Sequence, residues 1–288
     1  MSSTRLPSVA LLALGCLSIG AVRAAEPAAA PSFKVCAPPF NLPMSDQATP
    51  GYENRIAELF AADVGAKPAY TWFPQRMGFI RATLKNNETE DGEYKCDYVM
   101  GVVENFELAA TTQPYMRSTW AMVYVKGQGL DWLKTQQDLK QASAAQRAQL
   151  KIGIWDQGPT TDWISQLGLM DQATPFPIMS GDPKQSPAHI VEDELLKGNV
   201  NLTFLWGPIA GYVQKTHPAA NLVVVPLQSE GDLKFDYQIA MAVRHGDKQR
   251  QAQLSELIRK HQGEIDRILA DYNVPLLPLK PARKAHDD

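Results

Sequence analysis

Apolar residues fall along this chain in two alternating rhythms: short strand-like runs, and longer stretches with helical spacing. Phe33-Lys34-Val35-Cys36-Ala37 predicts a strand that stops at Pro38-Pro39, because proline cannot donate to a sheet ladder. Gly51 then precedes an amphipathic helix from about Glu53 to Val64, with Ile56, Leu59 and Phe60 on one face. A strand over Ala69–Phe73, a helix over Met77–Leu84, a polar loop over Asn86–Lys95 and a third strand over Asp97–Met100, closed by Gly101, follow. Strand, helix, strand, helix, strand is the order of a parallel sheet with crossover helices.

The pattern then changes. Thr119–Val125 reads as a long strand rich in β-branched and aromatic residues, and a polar helical stretch covers Trp132–Gln149. A strand over Lys151–Trp155 ends at Gln157-Gly158-Pro159-Thr160-Thr161, which opens another helix. His189–Leu196 and Pro208–Val213 read as helical, Leu202–Leu205 and Leu222–Val225 as strands. Tyr237–Val243 is a strong strand, and two helical stretches run from about Lys248 to Tyr272. The pattern predicts an α/β fold of two lobes, residues 33–120 with 226–280 and residues 126–224, joined by two crossing strands. No internal repeat is visible. Two such lobes enclose a cleft, where ligands favour the carboxyl ends of parallel strands, and two strands make a natural hinge.

The first residues stand apart. One positive charge in Met1–Arg5, an apolar stretch from Leu6 to about Val22, and Val22-Arg23-Ala24 together predict a secretory signal cut after Ala24. Residues 25–32 form an Ala/Pro-rich spacer, expected to be disordered, and residues 281–288 a tail. No later stretch is long and apolar enough to span a bilayer. The 288 residues carry a formal charge of -3, and removing Arg5 and Arg23, with no acid, leaves -5. A mildly acidic chain without basic runs is a poor binder of nucleic acid, though it could still meet a basic protein partner. Cys16 lies in the leader, where lipidation is the minor reading, leaving Cys36 and Cys96 as the pair for a structural disulfide in an oxidising compartment.

Enzyme and metal signatures are missing. There is no Gly-x-Ser-x-Gly, His-Glu-x-x-His or phosphate-loop spacing. The histidines His189, His217, His245, His261 and His286 are scattered. Glu88–Glu93 invites a calcium-loop reading, but Thr89 falls on a ligand position and Tyr98 where the closing Glu belongs, so a solvated loop fits better. No catalytic residue, metal site or cofactor is expected.

Four longer stretches carry a resemblance. They are Phe40-Asn41-Leu42-Pro43-Met44-Ser45, Gly51-Tyr52-Glu53-Asn54-Arg55-Ile56-Ala57-Glu58-Leu59, Tyr70-Thr71-Trp72-Phe73-Pro74-Gln75-Arg76-Met77-Gly78-Phe79-Ile80-Arg81, and Trp206-Gly207-Pro208-Ile209-Ala210-Gly211-Tyr212. With Cys96-Asp97-Tyr98-Val99-Met100-Gly101 and Thr111-Thr112-Gln113-Pro114-Tyr115, the layout resembles bacterial solute-binding proteins of the amino-acid-transporter type. In combination the motifs look like the MxaJ/XoxJ family, J proteins of methanol dehydrogenase gene clusters, over nearly all of the mature chain. The resemblance implies a type II periplasmic-binding-protein fold. It further implies a monomeric, non-catalytic accessory to a pyrroloquinoline-quinone (PQQ) methanol dehydrogenase, calcium or lanthanide type, with its cytochrome c as a further partner. The alternative is a solute-binding protein of an ABC importer.

Amino-acid binders place an Arg after the third strand for the ligand carboxylate, but here Glu104 and Glu107 occupy that loop. The second lobe's usual Asp is replaced by Phe204-Leu205-Trp206. The candidate cleft residues are Asn41, Met44, Glu53, Trp72, Arg76, Gly101, Glu104, Trp155, Thr160, Thr161 and Trp206. Thr160 and Thr161 either cap a helix or help hold an anion at its N-terminus. Trp72, Trp155 and Trp206 either line the cleft or pack under loops, and Arg76 and Arg81 either face it or lie on the surface.

Overall fold

The structure, a computed structural model, describes residues 1, 31–89, 92–178 and 189–281. The leader, most of the spacer, Glu90, Asp91, His286 and the tail beyond residue 281 lie outside the described residues. In chain order the elements are β1 (Ser32–Ala37), β2 (Phe40–Asn41), β3 (Ser45–Asp46), α1 (Tyr52–Asp63), β4 (Lys67–Trp72), α2 (Phe79–Ala82), β5 (Tyr98–Val103) and β6 (Ala110–Val125). Then come α3 (Gln136–Lys140), α4 (Ala144–Ala148), β7 (Ile152–Trp155), α5 (Pro159–Gln166), β8 (Ala173–Phe176), β9 (Leu202–Trp206), α6 (Gly207–Thr216), β10 (Leu222–Pro226), β11 (Asp236–Val243) and α7 (Lys248–Asp271). A short π-helical turn covers Val191–Leu195.

The strands are ordered β4-β1-β5-β11-β6-β9-β7-β8, with β10 on the free edge of β6. β1 runs parallel to β4 and β5, and β7 parallel to β8 and β9, as the crossover pattern predicts. β6 is shared by both halves: Ala110–Thr119 pairs with β11, and Trp120–Val125 with β9 and β10. Four apolar clusters fill the layers. Ile56, Phe60, Met241, Leu254 and Ile265 lie under α1 and α7. Met122, Ile152, Trp163, Phe204 and Phe235 fill one face of the second half, and Val123, Leu205, Ile209 and Val213 the other. A smaller cluster surrounds Cys36 and Cys96. Chain passes twice between the halves, along β6 and back through residues 227–235. Trp120 N donates to Phe235 O at 3.1 Å and Leu227 N to Trp120 O at 2.8 Å, which ties the two passages together.

A buried ion pair fixes this crossing. Asp236 accepts from Arg117 Nε at 2.8 Å, from Lys280 Nζ at 2.9 Å and from Ser229 Oγ, while Arg117 Nη1 also reaches Pro278 O at 2.9 Å. Burial alone pushes the Asp236 carboxyl up, but hydrogen bonds from Arg117, Ser229 and Lys280 outweigh it and hold the group well below the usual carboxylate range.

Several boundaries differ from the sequence reading. Ser32 already pairs with Lys67, so the spacer ends before it. Gly101 does not close the third strand; β5 runs on to Val103 because Val102 and Val103 pair with Ala240 and Ile239. β6 starts at Ala110 rather than Thr119, which places Thr111–Tyr115 inside the crossing strand. The polar helical stretch divides into α3 and α4, each started by a capping box, Thr135 with Asp138 and Ser143 with Gln146. The last helix is one run, Lys248–Asp271, rather than two stretches, with a non-helical residue at His261. β2, β3 and β8 are too short to register as periodic runs.

Cys36 and Cys96 form a disulfide, their Cα atoms 5.4 Å apart, closing a segment with a sequence separation of 60. Constraining a loop of that size in the unfolded chain contributes about 4 kcal/mol in the chain-entropy picture. The paired substitution Cys36→Ser/Cys96→Ser is expected to lower the unfolding free energy in urea by about 2–4 kcal/mol. Reduction of the native chain should have the same effect; an unchanged midpoint in both would show that the bond contributes nothing.

Candidate functional site

A cleft of about 710 Å³ lies where the two halves meet. It takes residues from α1, β5, β6, β11 and the loop before α2 on one side, and Gly158, Pro159, Ile178 and Trp206 on the other. The start of α1 is built from the hairpin of β2 and β3. Tyr52 N donates to Pro43 O at 2.8 Å and Glu53 N to Met44 O at 2.8 Å. That approach requires Gly51, since a Cβ there would lie 2.2 Å from Met44 O. Asn54 Oδ1 accepts from Gly51 N at 2.9 Å and Asp46 N at 3.0 Å, locking the hairpin to the helix. Asn41, Met44, Tyr52 and Glu53 thereby reach the cleft.

Glu53 lies over the backbone of Gly101: a Cβ at residue 101 would sit 2.2 Å from Glu53 Oε1. The side chain keeps part of its surface open to the cleft, yet protein surrounds it so closely that burial raises its carboxyl from 4.5 to about 7. No hydrogen bond or ion pair from another described residue meets that carboxyl. Tyr52 and Tyr115 are pushed well above the ordinary phenol range, first by burial, with Glu53 adding to both. The Tyr115 hydroxyl is buried without a partner among the described residues.

An aromatic face forms the base. The rings of Trp120 and Trp206, register partners on β6 and β9, meet edge to face at 6.5 Å, and Tyr237 meets Trp206 at 6.0 Å. All three line the cleft. Its cations come from the segment after β4: Arg76, Arg81 and Lys85, all exposed.

Of the candidates read from the sequence, Asn41, Met44, Glu53, Arg76, Gly101 and Trp206 line the cleft, with Arg81 beside them. Five are placed elsewhere. Trp72 stacks on Tyr70 at 4.7 Å, against the first core. Glu104 accepts from Gln238 Nε2 at 2.8 Å, drawn to β11 by the pairing that extends β5. Trp155 is buried and donates from Nε1 to Phe204 O at 3.0 Å. Thr161 turns back to hydrogen-bond Trp155 O, and Thr160 is fully buried with its hydroxyl unpartnered among the described residues. Neither threonine caps α5, because the helix starts at Pro159 with Gly158 as its N-cap, and proline's fixed φ suits the first helical position. Sequence reasoning missed Trp120, Tyr237 and Phe106; the first two sit where the predicted crossing strands pass the cleft, which was the available signal.

No group of three His, Cys, Asp or Glu able to hold a metal occurs among the described residues. No helix among the described residues is long and apolar enough to cross a membrane.

Two α/β lobes joined by two crossing strands, with a cleft at the junction, define the type II periplasmic-binding-protein class. A crystal structure of the periplasmic binding protein XoxJ from Methylobacterium extorquens AM1 superposes with a TM-score of 0.67 at 28% identity, covering 86% of this chain and 100% of that one. Protein MoxJ of Methylorubrum extorquens is 26% identical over 276 residues, 90% of this chain and 86% of that protein. An uncharacterized protein in the cycB 3' region of Paracoccus denitrificans is 60% identical over 43 residues, and the chain spans only 52% of its length. No family model matches the sequence. Over most of its length the chain resembles the MoxJ proteins and XoxJ, in line with the MxaJ/XoxJ resemblance of its motifs.

Glu53 gives the fold a pH dependence. Folding favours its neutral form, so its stabilising contribution is complete below about pH 4.5 and is lost as pH rises through about 7. The loss is at most about 3 kcal/mol, reduced by solvent in the cleft. Glu53→Gln should flatten the stability profile between pH 4.5 and 7 and be more stable than the parent at pH 8, measured by urea unfolding. Parallel profiles for the two proteins would contradict this account of the carboxyl.

Proposed function

We propose that this chain is a non-catalytic periplasmic accessory protein of a PQQ-dependent methanol dehydrogenase, binding the dehydrogenase and assisting its assembly or activation. Its resemblance to the MoxJ proteins and XoxJ supports the reading, and the single observation that carries it is the character of the cleft. An amino-acid ligand needs a cation for its carboxylate and an acid for its ammonium, placed on facing lobes. Here Trp206 occupies the second lobe's position, and the apolar base of Trp120, Trp206 and Tyr237 suits side chains of a protein better than a zwitterion. Residues 33–120 with 226–280 act as one lobe and residues 126–224 as the other, hinged at β6. The chain is exported through its first 24 residues and works as a monomer beside the dehydrogenase, calcium or lanthanide type, and its cytochrome c.

The second reading is a solute-binding protein feeding an importer. A volume of about 710 Å³ favours it, since this lies within the ~300–1,000 Å³ of small-molecule pockets. Calorimetry of the mature protein against the apo and PQQ-loaded dehydrogenase tests the first reading. Saturable binding to at least one form is expected, and no heat with either form would reject it. A thermal-shift screen of periplasmic solutes tests the second: a micromolar ligand in excess stabilises by on the order of 3 kcal/mol.

A further inference from the structure

The cations of the cleft stand out for having no hydrogen-bond or ion-pair partner among the described residues. Arg55, Arg117, Arg147, Arg244, Arg250, Arg259 and Arg267 all hydrogen-bond a carboxylate or a backbone carbonyl. Arg76 and Arg81 do neither with any described residue, and Lys85 is equally free. Arg76 places its guanidinium 5.1 Å from the centroid of the Phe73 ring, and Arg81 Nη2 folds to within 3.9 Å of the Cβ position of Gly78. All three lie within ten residues on one wall of the cleft, in a chain whose net charge is negative. Beside them the rim holds apolar side chains in water: Met77 is 85% exposed, Leu108 52% and Ile178 45%. An apolar rim this open, contiguous with an aromatic base, marks an interaction surface.

We propose that this wall docks an apolar protein segment bearing two or three carboxylates, which pair with Arg76, Arg81 and Lys85 while its apolar side chains enter the cleft toward Trp120 and Trp206. The assignment rests on the partner being a protein, as inferred above. Charge complementarity selects the occupant: a basic segment would meet three cations, and a neutral apolar one would leave them unpaired against its backbone. The open rim selects a chain over an enclosed small molecule. Exposed ion pairs contribute ~0.2–1 kcal/mol each, so three together are worth about tenfold in affinity or somewhat more. Such pairs are screened by salt, the Debye length falling to ~3 Å at 1 M.

The test uses the full mature chain and its Arg76→Gln/Arg81→Gln/Lys85→Gln variant, whose exposed changes leave the melting temperature as a check on folding. Fluorescence anisotropy is measured with labelled twelve-residue peptides of Leu and Phe carrying three Glu, three Gln or three Lys. The Glu peptide should bind tightest, and should weaken about tenfold both in the variant and at high salt. The purified dehydrogenase should lose affinity for the variant by a similar factor. Equal binding of the Glu and Gln peptides, or of parent and variant, would overturn the proposal. So would an aromatic dicarboxylate that displaces the Glu peptide and binds more tightly than it. If the dehydrogenase binds parent and variant alike, the docking wall fails and the accessory role stands. If it binds neither while the Glu peptide behaves as expected, the choice of partner fails and the wall stands.

Discussion

Strand β6 is the constraint from which the rest of the structure follows. Its first part is hydrogen-bonded to β11 and its last part to β9 and β10, so one straight run of backbone belongs to both lobes. The second passage is held to it by the bonds around Trp120 and by the Asp236 network, where Arg117 of β6, Ser229 of the return loop and Lys280 of the C-terminal arm converge on one carboxylate. A buried acid with that many donors is costly to disturb, because loss of any donor leaves charge without compensation in low dielectric. The two passages are thereby tied to each other at the crossing.

What the crossing holds open is a surface with the wrong chemistry for the usual solute. Its base is three aromatic rings donated by β6, β9 and β11, all fixed by strand register. The acid lining it among the described residues, Glu53, is so short of solvent that burial raises its carboxyl to about 7. Its cations Arg76, Arg81 and Lys85 lie exposed at the edge. Glu53 and Gly101 also show how closely the site is coupled to the fold: the carboxyl occupies the space a β-carbon at residue 101 would fill.

Much of this was legible beforehand because it depends on local pattern. The alternation of strands and helices, the two-lobed division and the cysteine pair come from periodicity and composition, and the long motifs pointed to the MxaJ/XoxJ family. The site was read only partly. Glu53 and Trp206, at element ends, and Arg76, in the loop between β4 and α2, line the cleft as the sequence reading expected. Trp155 and Thr160 sit at equally suggestive ends, but packing against Phe204 and the early start of α5 turned them inward. Glu104 was drawn to Gln238 by strand pairing from a distant part of the chain. Such outcomes depend on contacts between residues more than a hundred positions apart, which no local pattern encodes. Trp120 and Tyr237 show the converse, becoming functional candidates only once the crossing strands were located at the cleft.

The central claim is that the cleft receives a protein partner. Hydrogen–deuterium exchange of the mature chain, with and without saturating dehydrogenase, tests it most directly. The account expects protection concentrated in residues 73–85, 99–106 and 236–239 on one side of the cleft and around Gly158, Pro159 and Trp206 on the other, with the outer faces of α3, α4 and α7 unchanged. Protection confined to those outer faces, with the cleft exchanging as freely as before, would contradict it.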